Sequence, residues 1–209
     1  MDFDDYQRCA RRTVVYPSEA RIAYPLLGLV SELGEASGVA KRAIRDGAGL
    51  EALVDGRDEA RADQLAKELG DVLWYVAALA FDLGRPLSEV ARTGLAERSM
   101  GSGPAPDLAT FARLAGRAAA GPPSAALVQA LVMATHAAGQ LGVEAVLAEG
   151  EPDQATADVM VGVLGSVLVE VATAAWAIGR SLADVAQANL EKLSDRMARG
   201  VLQGAGDER

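Results

Sequence analysis

The sequence predicts an all-α protein, and three observations carry that prediction. Ala and Leu dominate, apolar residues recur at spacings of three and four over windows longer than a strand needs, and β-branched runs are short. Helices are expected at 3–13, 20–45, 60–83 and 86–99, then at 106–119, 123–148, 153–179 and 181–199. Tyr16-Pro17-Ser18 closes the first, Asp46-Gly47 the second, and Gly84-Arg85-Pro86 parts the third from the fourth. Gly101-Ser102-Gly103-Pro104 ends the first half, while Gly121-Pro122-Pro123 and Gly150-Glu151-Pro152 punctuate the second. Residues 201–209 read as a polar tail.

A chain of 209 residues with 50% apolar content fits one large domain or two small ones with a packed core. Cys9 has no cysteine partner, and the opening Met1-Asp2-Phe3-Asp4-Asp5 is the opposite of a basic leader, so a reducing cytoplasm is the expected setting. The net charge of −9 argues against broad binding to nucleic-acid backbones. Between Asp158 and Arg180 the only charged residue is Glu170. That stretch is long enough to span a bilayer, but it aligns with an earlier amphipathic segment, so a buried bundle helix and no membrane partner are expected.

That alignment is an internal repeat. Sliding Glu68–Ser99 by 95 positions lays it on Val163–Ser194: Gly84-Arg85 meets Gly179-Arg180, Leu87 meets Leu182, Val90-Ala91 meets Val185-Ala186 and Leu95 meets Leu190. Two four-helix units are therefore expected, 1–101 and 102–200, packed as a pseudo-dimer within one chain that suffices alone or pairs again. The chemistry does not repeat: Glu68 and Asp71 become Val163 and Ser166, and Leu29-Val30-Ser31-Glu32-Leu33-Gly34-Glu35 pairs with Leu131-Val132-Met133-Ala134-Thr135-His136-Ala137.

Glu32 and Glu35, like Glu68 and Asp71, are three residues apart and share a helix face, each pair set in apolar sequence. If the two helices face each other, four carboxylates converge in a poorly hydrated cleft where like charges repel and a divalent cation offsets the repulsion. The ligands are hard oxygens without nearby His or Cys, which favours Mg²⁺, with Mn²⁺ able to substitute, over zinc. A di-iron bundle would call for Glu-x-x-His, and the single histidine, His136, lies in the other unit, where it reads as a structural or surface residue.

Glu32-Leu33-Gly34-Glu35 followed by Glu68-Leu69-Gly70-Asp71-Val72-Leu73-Trp74-Tyr75 resembles the ExxE and ExxD signature of the MazG-like all-α nucleoside triphosphate pyrophosphohydrolases, which include dimeric dUTPases and dCTP pyrophosphatases. Tyr6-Gln7-Arg8, Ala10-Arg11-Arg12-Thr13 and Tyr16-Pro17 are similar to one bacterial branch. The likeness covers residues 3–90, and the second unit as a degenerate copy. It implies Mg²⁺ held on a triphosphate by the acids, with water releasing pyrophosphate. Glu35, Glu68 and Asp71 are then direct ligands, and Glu32 is either a ligand or the base that orients the water.

The family's next helix often carries Asn, Lys three residues on and Arg four beyond. The first unit has Gly94, Glu97 and Gly101 there; the second keeps Asn189, Lys192 and Arg196 on one helical face. One composite site, with acids from one unit and phosphate donors from the other, is the expectation that follows. Arg42 by periodicity and Lys41 by resemblance are further phosphate candidates. Tyr75 is placed to stack on the base or sugar, Trp74 belongs to the core, and the resemblance implies that Gln7, Arg11 and Arg12 reach the nucleotide from the first helix. The competing expectations are a regulatory protein that binds nucleotide or metal without turnover, and a purely structural bundle.

Overall fold

The computed structural model describes residues 1–147 and 151–202. Among them the chain is all-α: α1 (Phe3–Arg11), α2 (Ala23–Arg45), α3 (Gly49–Val54), α4 (Glu59–Asp82), α5 (Leu87–Glu97), α6 (Leu108–Ala118), α7 (Pro123–Leu147), α8 (Gln154–Ala177) and α9 (Leu182–Ala198), with a 3-10 turn at Ser18–Ala20. Every expected helix is present. α3 was not expected; at six residues it is too short to show a period, and it is held by burying Ala52 and Leu53. The expected end of α7 at 148, the Gly150 breaker and the tail beyond 202 lie outside the described residues.

The helix starts follow from capping chemistry. Asp2, Asp58, Asp107 and Asp153 each accept a hydrogen bond from the backbone N–H three residues on, satisfying a donor that the helix leaves open. The turns after α4 and α8 are alike. Gly84 and Gly179 adopt φ of 71° and 68°, the left-handed region where a side chain is strained. Arg85 and Arg180 then donate their backbone N–H to the carbonyls of Ala80 and Ala175.

One apolar core runs through both halves of the chain, from Phe3 to Ala186. α4 and α8 are its central helices and touch each other, α2 packs on α4 and α7 on α8, and α2 also meets α7. The shorter helices cross over: α9 packs chiefly on α4, and α5 chiefly on α8. Both crossings use a glycine, and they are related by the displacement of 95. A Cβ on Gly70 would lie 3.1 Å from Asn189 Cβ and 3.5 Å from the Val185 carbonyl oxygen; one on Gly165 would lie 2.6 Å from Gly94 N and 2.8 Å from the Val90 carbonyl oxygen. The ion pairs Arg180–Asp63 and Arg85–Asp158 obey the same displacement.

By length and composition both α7 (Pro123–Ala145) and α8 could cross a membrane, but 78% of the α8 window and 44% of the α7 window are buried inside the bundle. Glu170, in the apolar stretch of α8, is 4% exposed and bonded to Arg98, so the apolarity of α8 serves the interior.

Candidate metal centre

Glu32 on α2 and Glu68 and Asp71 on α4 come together, each offering a carboxylate oxygen within 4.8 Å of the others. Such a group fits a hard divalent cation: three oxygen donors, no sulfur or imidazole, and mutual repulsion that a cation relieves. Glu35, expected as a direct ligand, is not part of this group. A three-residue step turns a side chain back by about 60° around the helix. α2 buries Leu29, Leu33, Ala36 and Ala40, so Glu32 flanks the packed face while Glu35 turns out to solvent. α4 is enclosed by α1, α2, α8 and α9, and there Glu68 is buried and Asp71 partly buried.

The Glu32 carboxyl is pushed up to about 8, first by burial, then by the charges of Asp71, Glu35 and Glu68, against a smaller opposing effect of Lys192. The folded protein therefore keeps a proton there that the unfolded chain releases near its ordinary value of 4.5. Protein without metal should lose stability as pH rises through this window. Thermal melts in a chelator are expected to show a falling midpoint between about pH 5 and about pH 8, and Glu32→Gln should flatten that fall. An unchanged slope in the variant would show that Glu32 is not its source.

The second half completes the surroundings. Lys192 Nζ lies 2.6 and 2.5 Å from the two Asp71 oxygens, and Asn189 Nδ2 donates to Asp71 Oδ1 at 2.8 Å. Tyr6 Oη, fully buried on α1, donates to Asn189 Oδ1 at 2.9 Å. Beside this cluster a cleft of about 860 Å³ opens between α4 and α9. Glu68, Asn189, Lys192 and Arg196 line it, together with Lys67 and Arg180, two cations that sequence reasoning missed. Arg196 is only 6% exposed. Gly70 permits this arrangement, because a side chain there would press on Asn189.

The remaining candidates divide. Tyr75 stands one turn beyond Asp71, with its ring across Gly28, where a Cβ would come within 2.2 Å. Trp74 packs edge-on against it at 4.9 Å and donates Nε1 to Thr13 Oγ1 at 2.9 Å, a core role. Tyr24, on the solvent side, stacks on Tyr16 at 4.8 Å. Arg42 folds its guanidinium back over Gly38, Lys41 is exposed, and His136 is exposed on α7. Gln7 corrects an expectation: its amide donates to the carbonyls of Ala77 and Arg85 and accepts from Leu87 N, so it ties α1 to the α4–α5 turn rather than facing a ligand. Arg11 lies over the Phe81 ring at 4.4 Å.

Fold and site together define an all-α bundle with a carboxylate group at the seam between its two halves. The chain belongs to the family of the Gene 37 protein of Mycobacterium phage L5, to which it is 38% identical over 101 residues, 46% of this chain and 83% of that relative. No family model matches the chain, and no solved structure does.

Proposed function

We propose that the protein is a Mg²⁺-dependent nucleoside triphosphate pyrophosphohydrolase of the MazG-like type, formed from two fused units that share one active site. The observation that carries this reading is the meeting of Lys192 and Asn189, from the half that lacks counterparts of the four acids, with Asp71 in the half that has them. The contacts that recur at a displacement of 95 support the fusion. So does the size of the phage relative, whose aligned 101 residues make up most of it but under half of this chain.

Glu32, Glu68 and Asp71 would hold the cation, which when bound neutralises phosphate charge and polarises the bond to be cleaved. Lys192 and Arg196 supply positive charge along the cleft for the phosphate oxygens, and Asn189 supplies a neutral donor. Glu32 is either the third ligand or the base that takes the proton of an attacking water at its carboxylate oxygen. Tyr75, one turn along, offers a ring to the sugar or base.

The test is incubation with each common and modified (d)NTP and Mg²⁺, scoring pyrophosphate separately from orthophosphate. Pyrophosphate is expected; orthophosphate alone refutes cleavage between the α and β phosphates. Lys192→Ala, with helicity verified, should lower turnover by about 100-fold, the loss expected when a charged donor to a reacting phosphate is removed. Wild-type turnover in that variant would sink the shared site. Mg²⁺-linked stabilisation by nucleotide without any product would instead support the regulatory reading.

A further inference from the structure

We infer that Tyr6 is a positioning residue of the metal centre, acting through Asn189. The inference rests on the reading of Glu32, Glu68 and Asp71 as metal ligands. An amide side chain has a donor end and an acceptor end, and Asn189, 3% exposed, is able to face Asp71 either way round. With Nδ2 toward Asp71 it gives the carboxylate a hydrogen bond; reversed, it would set oxygen against oxygen. Asp71, which only accepts, takes the Nδ2 end, and the Tyr6 hydroxyl donates to the Oδ1 left over, which pins the amide plane with Nδ2 on Asp71. One oxygen of Asp71 is thereby held, and the carboxylate is oriented toward Glu32 and Glu68. Support of this kind around a first ligand typically accounts for about 10- to 100-fold in metal affinity.

The molecule carries its own control. α1 and α6 both begin at a capping Asp, Asp2 and Asp107, and four residues on stand Tyr6 and Phe111. Both side chains are fully buried. The position matching Asn189 is Gly94, and those matching Glu68 and Asp71 are Val163 and Ser166. Where the acids are absent, the amide and the phenolic hydroxyl are absent too, and an aromatic ring fills the same kind of core position. Packing alone therefore does not require the hydroxyl.

The experiment uses Tyr6→Phe, Asn189→Ala and the double variant of the full chain. Mn²⁺ affinity is read from the electron paramagnetic resonance signal of the free ion, and pyrophosphate release is measured alongside. Tyr6→Phe should keep wild-type helicity and weaken Mn²⁺ binding by about 10- to 100-fold. The double variant should bind no more weakly than Asn189→Ala alone, because the two residues act in series. Wild-type Mn²⁺ affinity in Tyr6→Phe, or losses that add in the double variant, overturns the inference; a lowered melting temperature with unchanged Mn²⁺ affinity assigns Tyr6 to packing and does the same. If Mn²⁺ affinity responds as expected but no nucleotide is hydrolysed by the wild type, the positioning role stands and the pyrophosphohydrolase reading falls. A wild type that binds no Mn²⁺ removes both.

Discussion

Asp71→Ala is expected to remove the Mg²⁺-linked rise in melting temperature and to lower pyrophosphate release by more than about 100-fold, beyond the range seen when only a supporting group is lost. No other residue joins so many parts of the site. Asp71 belongs to the carboxylate group with Glu32 and Glu68, receives Lys192 on both oxygens and receives Asn189 on one. Truncating it takes away a proposed ligand and strands the buried Asn189 amide, which costs about 1–3 kcal/mol of stability on its own. Asp71→Asn separates these effects, since it keeps the shape and removes the charge. Calorimetric scans with chelator and with Mg²⁺ provide the measurement. An Asp71→Ala protein that still gains stability from Mg²⁺ would show that the cation binds elsewhere.

Gly94→Ala is expected to destabilise the whole molecule, although Ala is the better helix former by up to about 1 kcal/mol. A Cβ at Gly94 would lie 2.4 Å from the Gly165 carbonyl oxygen and 2.6 Å from its carbonyl carbon. Those atoms are backbone in the central helix α8 and have no rotamer to change. Overpacking of this kind costs about 1–3 kcal/mol, and a net loss of about 2 kcal/mol lowers the melting temperature of a chain this size by about 4–8 °C. Gly139→Ala is the contrast: it is helical and exposed, nothing lies within 4 Å of the added Cβ, and it should be neutral or slightly stabilising. Thermal melts of the two variants side by side make the check, and equal midpoints would refute the close crossing.

The helices were legible because each long one carries its own period and its own breaker, as Gly84 and Gly179 illustrate. α3 was not, because six residues held by Ala52 and Leu53 show no period. Three of the four acids were legible as a group from spacing within helices. Glu35 was not separable from Glu32, because spacing says which face two residues share and not how far a neighbouring helix wraps around it. Gln7 was misplaced for a related reason: a buried glutamine that bonds three backbone groups looks the same in sequence as one awaiting a ligand. The meeting of Asn189 and Lys192 with Asp71 was accessible through the resemblance and the repeat together, since the Asn, Lys and Arg pattern stands at 189, 192 and 196 and is absent at 94, 97 and 101. The one signal of Tyr6 in the sequence is a hydroxyl-bearing aromatic at a position whose counterpart is Phe111.

The two glycine crossings also bear on the history open to this chain. On the Gly70 side the helices stand far enough apart for an asparagine, whereas on the Gly94–Gly165 side backbone lies against backbone. Restoring the missing amide at 94 would require α5 and α8 to separate first, and that means giving up packing around a central helix before any benefit returns. On the fused-repeat reading, the loss of the second site works as a ratchet. Substitutions that revive acids at 163 and 166 gain nothing while the door at 94 is shut, so selection can refine the surviving site but has no downhill path back to two.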